Sequence, residues 1–164
     1  FHPETNAFEE NKVFALEMKK SLIELSNQIN LVITMPNADT MGTVYREQLI
    51  LLKEEKGGKV FLIENFGKEN YFSAMHYASF LLGNTSSGII EAASFNKYVV
   101  NVGNRQEGRA QSENIINTAF NSIDILNAID TCVKLDEYKG GNIYYKEHTA
   151  KSIVKIIKKK YEKF

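Results

Sequence analysis

Apolar positions along this chain arrive in short, almost unbroken bursts: LVITM at 31–35, VFLI at 60–63, FLL at 80–82, YVVNV at 98–102 and IINTAF at 115–120. Runs of that kind, without polar alternation, predict strands buried on both faces. Between them the spacing becomes helical. Val13, Leu16, Leu22, Ile23 and Leu25 predict one face of a first helix, Leu49, Leu51 and Leu52 a second, and Phe72, Met75 and Ala78 a third. Strand then helix, repeated, predicts an α/β fold whose parallel sheet is covered on both faces. Glycines at 57–58, 83, 103 and 140–141 punctuate the pattern, and the two prolines, Pro3 and Pro36, fall at predicted element ends;. The final segment sets Ile153, Val154, Ile156, Ile157 and Tyr161 against lysines. Such a basic amphipathic helix can lie on a membrane, but the reading preferred here is a terminal helix packed on the core, with lysines near its negative end.

At 164 residues, one domain spanning 1–164 is expected;. Acidic and basic residues balance at 20 each, which gives no electrostatic drive toward nucleic acid or an anionic membrane;. A small ligand is the expected partner. Cys132 is the single cysteine, which rules out an intrachain disulfide framework and a cysteine-based zinc site and fits a cytoplasmic setting;. No apolar run nears the roughly 18 residues of a membrane-spanning helix. The chain opens on Phe1 and not on Met, so a piece of a longer polypeptide is expected.

In open parallel sheets, ligands gather beyond the carboxyl ends of the strands, where loops and helix N-termini converge. The chemistry-bearing residues follow the apolar bursts. After Leu82 comes Gly83-Asn84-Thr85-Ser86-Ser87-Gly88 and then a fourth helical pattern, whose unpaired N–H groups and positive dipole end suit an anion;. Ser86 and Ser87 add hydroxyl donors, and Gly88 would let a phosphate approach the backbone. Glu91 follows one turn later, about 6 Å along the axis, within reach of a ribose diol attached to that phosphate. An ordinary helix cap with an acid favoured by the dipole reads equally well.

The next burst leads into Gly103-Asn104-Arg105-Gln106-Glu107-Gly108-Arg109, where the forks of Arg105 and Arg109 match phosphate oxygens, with surface pairing to Glu107 or Glu113 as the alternative;. The loop at 36–42, with Asn37 and Asp39, is a third candidate or a plain capped turn. His2 suits proton transfer but stands at the very start, and His76 and His148 sit in helical patterns without assigned chemistry;. No Gly-x-Gly-x-x-Gly or phosphate-loop ending is present, and three scattered histidines with one cysteine suggest no metal site;.

Taken in order, His2-Pro3-Glu4-Thr5-Asn6, Asn37-Ala38-Asp39-Thr40, the stretch from Asn84 to Ala92 and the stretch from Val102 to Arg109 closely resemble the C-terminal half of hydrolysing UDP-N-acetylglucosamine 2-epimerases, the sialic-acid or capsule branch in particular. The resemblance covers essentially the whole chain. It implies a Rossmann-like three-layer sandwich, one half of a glycosyltransferase-B type protein, that grips UDP and uses no cofactor or metal. It further implies that Ser86, Ser87 and Gly88 hold the diphosphate, Glu91 the ribose hydroxyls and Arg105 the phosphate charge. The backbone at Asn65 and Phe66 would meet the uracil, and His2 would stand near the departing sugar oxygen. The reaction implied converts UDP-N-acetylglucosamine to N-acetylmannosamine and UDP by elimination and hydration, in a protein expected to form homo-oligomers.

In that family the acid–base carboxylates come from an N-terminal domain with no counterpart here, so this chain alone is expected to be inactive. A buried strand also leads into the His-Pro-Glu-Thr segment there, and here it would be cut to Phe1 and His2. The sheet is therefore expected to be incomplete or to borrow an edge. A donor-binding domain of a glycosyltransferase and a non-catalytic nucleotide-sugar sensor remain alternatives.

Overall fold

The computed structural model describes residues 1–37 and 41–161. Among the described residues five short strands form, β1 (Leu31–Thr34), β2 (Val60–Ile63), β3 (Leu81–Gly83), β4 (Val99–Val102) and β5 (Ile115–Thr118), together with six α-helices, α1 (Asn11–Ser26), α2 (Gly42–Lys56), α3 (Gly67–Tyr77), α4 (Ser86–Ile90), α5 (Ser122–Cys132) and α6 (Thr149–Tyr161). All strand pairs are parallel, but they make two sheets, β1–β2 and β3–β4–β5. The strand bursts are thus where the sequence places them, while the sheet is divided between β1 and β3.

Only β4 is buried along its whole length. Its side chains alternate, with Val100 and Val102 in the main core and Val99 in a second cluster with Met75 and Ala92. Helices α1, α2 and α5 supply the main core, and α3 with the turn after α4 covers the opposite face, which makes the three layers. In the β1–β2 pair, by contrast, the registered neighbours Val32 and Phe61 are exposed, so burial on both faces does not extend to these strands.

Helix α1 is rotated from its expected face. Ala15, Met18, Leu22 and Leu25 are buried at helical spacing, whereas Val13 and Leu16 face solvent. Helix α5, capped by Asn121, was not anticipated, although Ile125, Ala128, Ile129 and Cys132 are spaced for it and lie in the core. The terminal helix differs most from expectation. No residue of α6 is buried, and Ile153, Val154, Ile156, Ile157 and Tyr161 are all exposed, so it does not pack on the core. No helix among the described residues is long and apolar enough to cross a membrane.

Candidate functional site

The residues after β3 and β4 converge with the start of the chain. Asn84, fully buried, uses both ends of its amide on one residue: its Oδ1 accepts from the His2 N–H at 2.7 Å and its Nδ2 donates to the His2 carbonyl at 2.8 Å. Its own carbonyl accepts from Arg105 Nη1 at 3.1 Å and from Gln106 Nε2 at 2.8 Å. One asparagine therefore fixes the backbone of His2 and the side chains that shape the arginine loop. The loop is also gripped from the far side. Buried Glu4 accepts the Asn104 N–H at 2.8 Å, and Asn11 in turn clamps the Glu4 backbone and receives the Tyr45 hydroxyl at 3.1 Å. Burial, and then the charge of Glu4, holds the Tyr45 phenol above its ordinary range, so it serves as a donor;.

Gly103 sits at φ +73°, and a side chain there would run into the Glu4 carboxylate. Glycine is required at that point because the loop must turn left-handed against a buried acid.

The turn after β3 is shorter than its sequence suggests. Helix α4 has five residues, Thr85 caps it by accepting the Gly88 N–H at 3.3 Å, and the chain then tightens into a 3₁₀ turn at Ala92–Phe95. Glu91 stands at the junction, its N–H bonded to the Ser87 carbonyl at 2.9 Å. Its Oε2 is buried and finds no hydrogen-bond partner among the described residues. A carboxylate oxygen held out of water without a donor is costly, and a ligand hydroxyl is the kind of group that would satisfy it.

A model of the UDP-N-acetylglucosamine 2-epimerase family matches residues 1–158. The chain belongs to that family. The GDP/UDP-N,N'-diacetylbacillosamine 2-epimerase (hydrolyzing) of Campylobacter jejuni is 34% identical over 124 residues, covering 76% of this chain and 32% of that protein. A UDP-N,N'-diacetylbacillosamine 2-epimerase (hydrolyzing) of Legionella pneumophila is 31% identical over 134 residues, covering 82% of this chain and 35% of its own length. This epimerase-family chain thus spans about a third of the curated relatives it matches. Among solved structures, the UDP-GlcNAc 2-epimerase of Methanocaldococcus jannaschii superposes with a TM-score of 0.72 at 11% identity, covering 96% of this chain and 44% of that one, which supports the α/β fold.

Within the epimerase-family fold, His2, Ser86, Ser87, Glu91 and Arg105 come from segments tied together through Asn84 and the α4 turn. Phe66 is half-buried and lines the same cavity as Thr85 and Gly88. Asn65 is exposed and its Oδ1 accepts the Gly67 N–H at 2.7 Å, starting α3. Asn37 is exposed after β1, Asp39 lies outside the described residues, and Arg109 is exposed at the end of its loop.

Gly88 also has a packing role. Its amide is used by Thr85, and a side chain there would meet Val99 Cγ1 at 3.0 Å. The missing Cβ lets α4 press on β4. Sequence reasoning assigned no role to Asn84, Glu4 or Gln106. The signal for Asn84 was a side-chain amide at a strand end, where one group can both donate and accept. Among the described residues, no group of three or more His, Cys, Asp or Glu side chains is placed to hold a metal ion.

Proposed function

We propose that this chain is the UDP-gripping half of a hydrolysing UDP-sugar 2-epimerase, with the catalytic carboxylates supplied from outside it. The observation that carries the reading is the buried, unpartnered Glu91 Oε2 one turn beyond Ser87. A ribose 2′,3′-diol offers donors to that oxygen, and a diphosphate attached to the same ribose would lie toward Ser86, Ser87 and the Arg105 fork. Gly88 keeps the turn packed on the sheet, Arg109 extends the positive rim, and the backbone at Asn65 and Phe66 is the reading for the uracil. Asn37 is a further proposed UDP-binding residue.

In the reaction proposed, a base removes the proton at sugar C2 while the C1–O bond to UDP breaks. Water then adds across the resulting double bond and the free 2-epimer is released. Negative charge grows on the departing diphosphate, so donors and an arginine fixed in advance stabilise the transition state more than the ground state. His2, its backbone pinned by Asn84, is proposed to face the leaving oxygen. UDP-N-acetylglucosamine and UDP-N,N'-diacetylbacillosamine are both candidate substrates. The second is favoured by the names of the relatives above 30% identity.

Calorimetric titration with UDP tests the nucleotide site. Losing a charge-assisted hydrogen bond of about 1.5–3 kcal/mol, Glu91→Ala should weaken UDP about ten- to a hundredfold. An unchanged affinity would make Glu91 a helix-terminus residue only. This chain alone should bind UDP and release no sugar. Supplying each UDP-sugar to a full-length relative carrying this half, without an acceptor, separates epimerase from glycosyltransferase and sensor: free 2-epimer appears only in the first case.

A further inference from the structure

After α5 the chain returns to the candidate site as a stretch without helix or strand, residues 138–145. Tyr138 anchors it. Its buried ring packs against Tyr98 at 5.5 Å between centroids, and its hydroxyl donates to the Gly141 carbonyl at 3.0 Å. A side chain on Gly140 would collide with that ring and hydroxyl, so the turn has to be bare there;. The turn delivers Asn142, whose Nδ2 donates to the Ile90 carbonyl at 2.8 Å and to Ser94 Oγ at 2.7 Å, while its Oδ1 accepts the Tyr144 N–H at 2.9 Å. Ile90 and Ser94 flank Glu91 in the chain. The next two residues reach the other side of the site: the Ile143 N–H donates to the buried Ser112 Oγ at 3.1 Å, and the Tyr144 hydroxyl donates to the Ala110 carbonyl at 2.7 Å. Ala110 directly follows Arg109.

Glu91 and Arg109 ride on different elements, the α4 turn and the loop after β4. The near half of that loop is held by Asn84 and Glu4, whereas residues 107–110 are exposed. A bond inside the loop, from the Arg109 N–H to the Gln106 carbonyl at 3.2 Å, fixes its curl but not its distance from Glu91. Asn142 and Tyr144, locked together by the bond between them, span that distance. We infer, building on the UDP reading above, that Asn142 and Tyr144 are positioning residues: the strap they form sets the spacing between the carboxylate that takes the ribose and the guanidinium that takes the diphosphate. A ligand that bridges two arms binds well when the arms stand in register before it arrives, because any ordering done on binding is subtracted from affinity.

The test follows uridine and UDP side by side by NMR titration of this chain, since uridine engages the Glu91 arm alone and UDP engages both. Tyr144→Phe removes one hydroxyl from a residue 41% exposed and keeps the ring, so the fold should be retained. It should weaken UDP about two- to tenfold, the worth of one hydrogen bond, and leave uridine unchanged. Asn142→Ala frees the Glu91 side and should weaken both ligands. A strap that only stabilises the fold would lower the unfolding midpoint and move the two ligands together or not at all. An unchanged UDP affinity in Tyr144→Phe, or equal losses for UDP and uridine, therefore overturns the assignment, and this variant decides by itself should Asn142→Ala not fold. Where the wild type binds UDP and Glu91→Ala weakens it while Tyr144→Phe does not, only the positioning role falls. A wild type that takes neither ligand removes the UDP reading, and the strap's role goes with it.

Discussion

Replacing Asn84 by leucine isolates the residue on which the site converges. The substitution keeps the volume at a fully buried position and removes two hydrogen bonds, at 2.7 and 2.8 Å, to the backbone of His2. Leaving a buried donor or acceptor unpaired costs about 1–3 kcal/mol each. His2 is half-buried, so water reaches part of it and the lower end applies. The expected loss is about 2 kcal/mol, read by urea denaturation as a lower midpoint at unchanged slope. Asn84→Asp sharpens the test. Its carboxylate still accepts from the His2 N–H but opposes the His2 carbonyl, and burial with that opposition raises its pKa in the fold, so this variant should regain stability as pH falls toward the ordinary carboxylate value near 4 and hold it below;. A loss under about 0.5 kcal/mol for the leucine variant, or an aspartate variant with no such recovery, would refute the pinning of His2 by Asn84.

Gly103→Ala should destabilise by about 2 kcal/mol or more, since a left-handed φ costs a side chain about 1–2 kcal/mol before its Cβ meets the Glu4 carboxylate and Phe120;; denaturation midpoints measure it. Glu17, lowered to about 2 chiefly by its hydrogen bond from Lys20 and then by those from Ser122, should stabilise the fold above its ordinary 4.5 and lose that contribution as pH falls toward 2. Glu17→Gln should flatten this acid limb in a pH series of unfolding midpoints.

The strands were legible because a buried strand needs an unbroken apolar run, and every one of the five bursts carries a strand. Which face of a helix is buried was less so. In α1 the small residues Ala15 and Ser21 pack inward while Val13 and Leu16 stay out, a choice made by the neighbouring helices α2 and α5 and invisible to hydrophobicity alone. Helix α5 had the right spacing and a cap at Asn121, so its omission was a misreading of local signals. The sheet, expected to be incomplete or to borrow an edge, is divided into two, with a cavity between them.

In the candidate site, the rule that ligand residues follow strand ends singled out Ser86, Ser87, Glu91 and Arg105 as candidates. It could not show that Asn84 and Glu4 do the holding, because their bonds reach across 82 and 100 residues of chain. The packing role of Gly88 was out of reach for a related reason: it depends on Val99, which belongs to the following strand.

Those two long-span bonds carry a kinetic consequence. Contacts between residues so distant along a chain form late, because the intervening loop must close before they repay its entropy. The arginine loop therefore takes its working shape only when the rest of the polypeptide is already in place, and it should be among the first regions to loosen under denaturant. Any small molecule that bridges it to the α4 turn would act as a staple on the whole fold, raising the unfolding midpoint in proportion to the logarithm of its concentration.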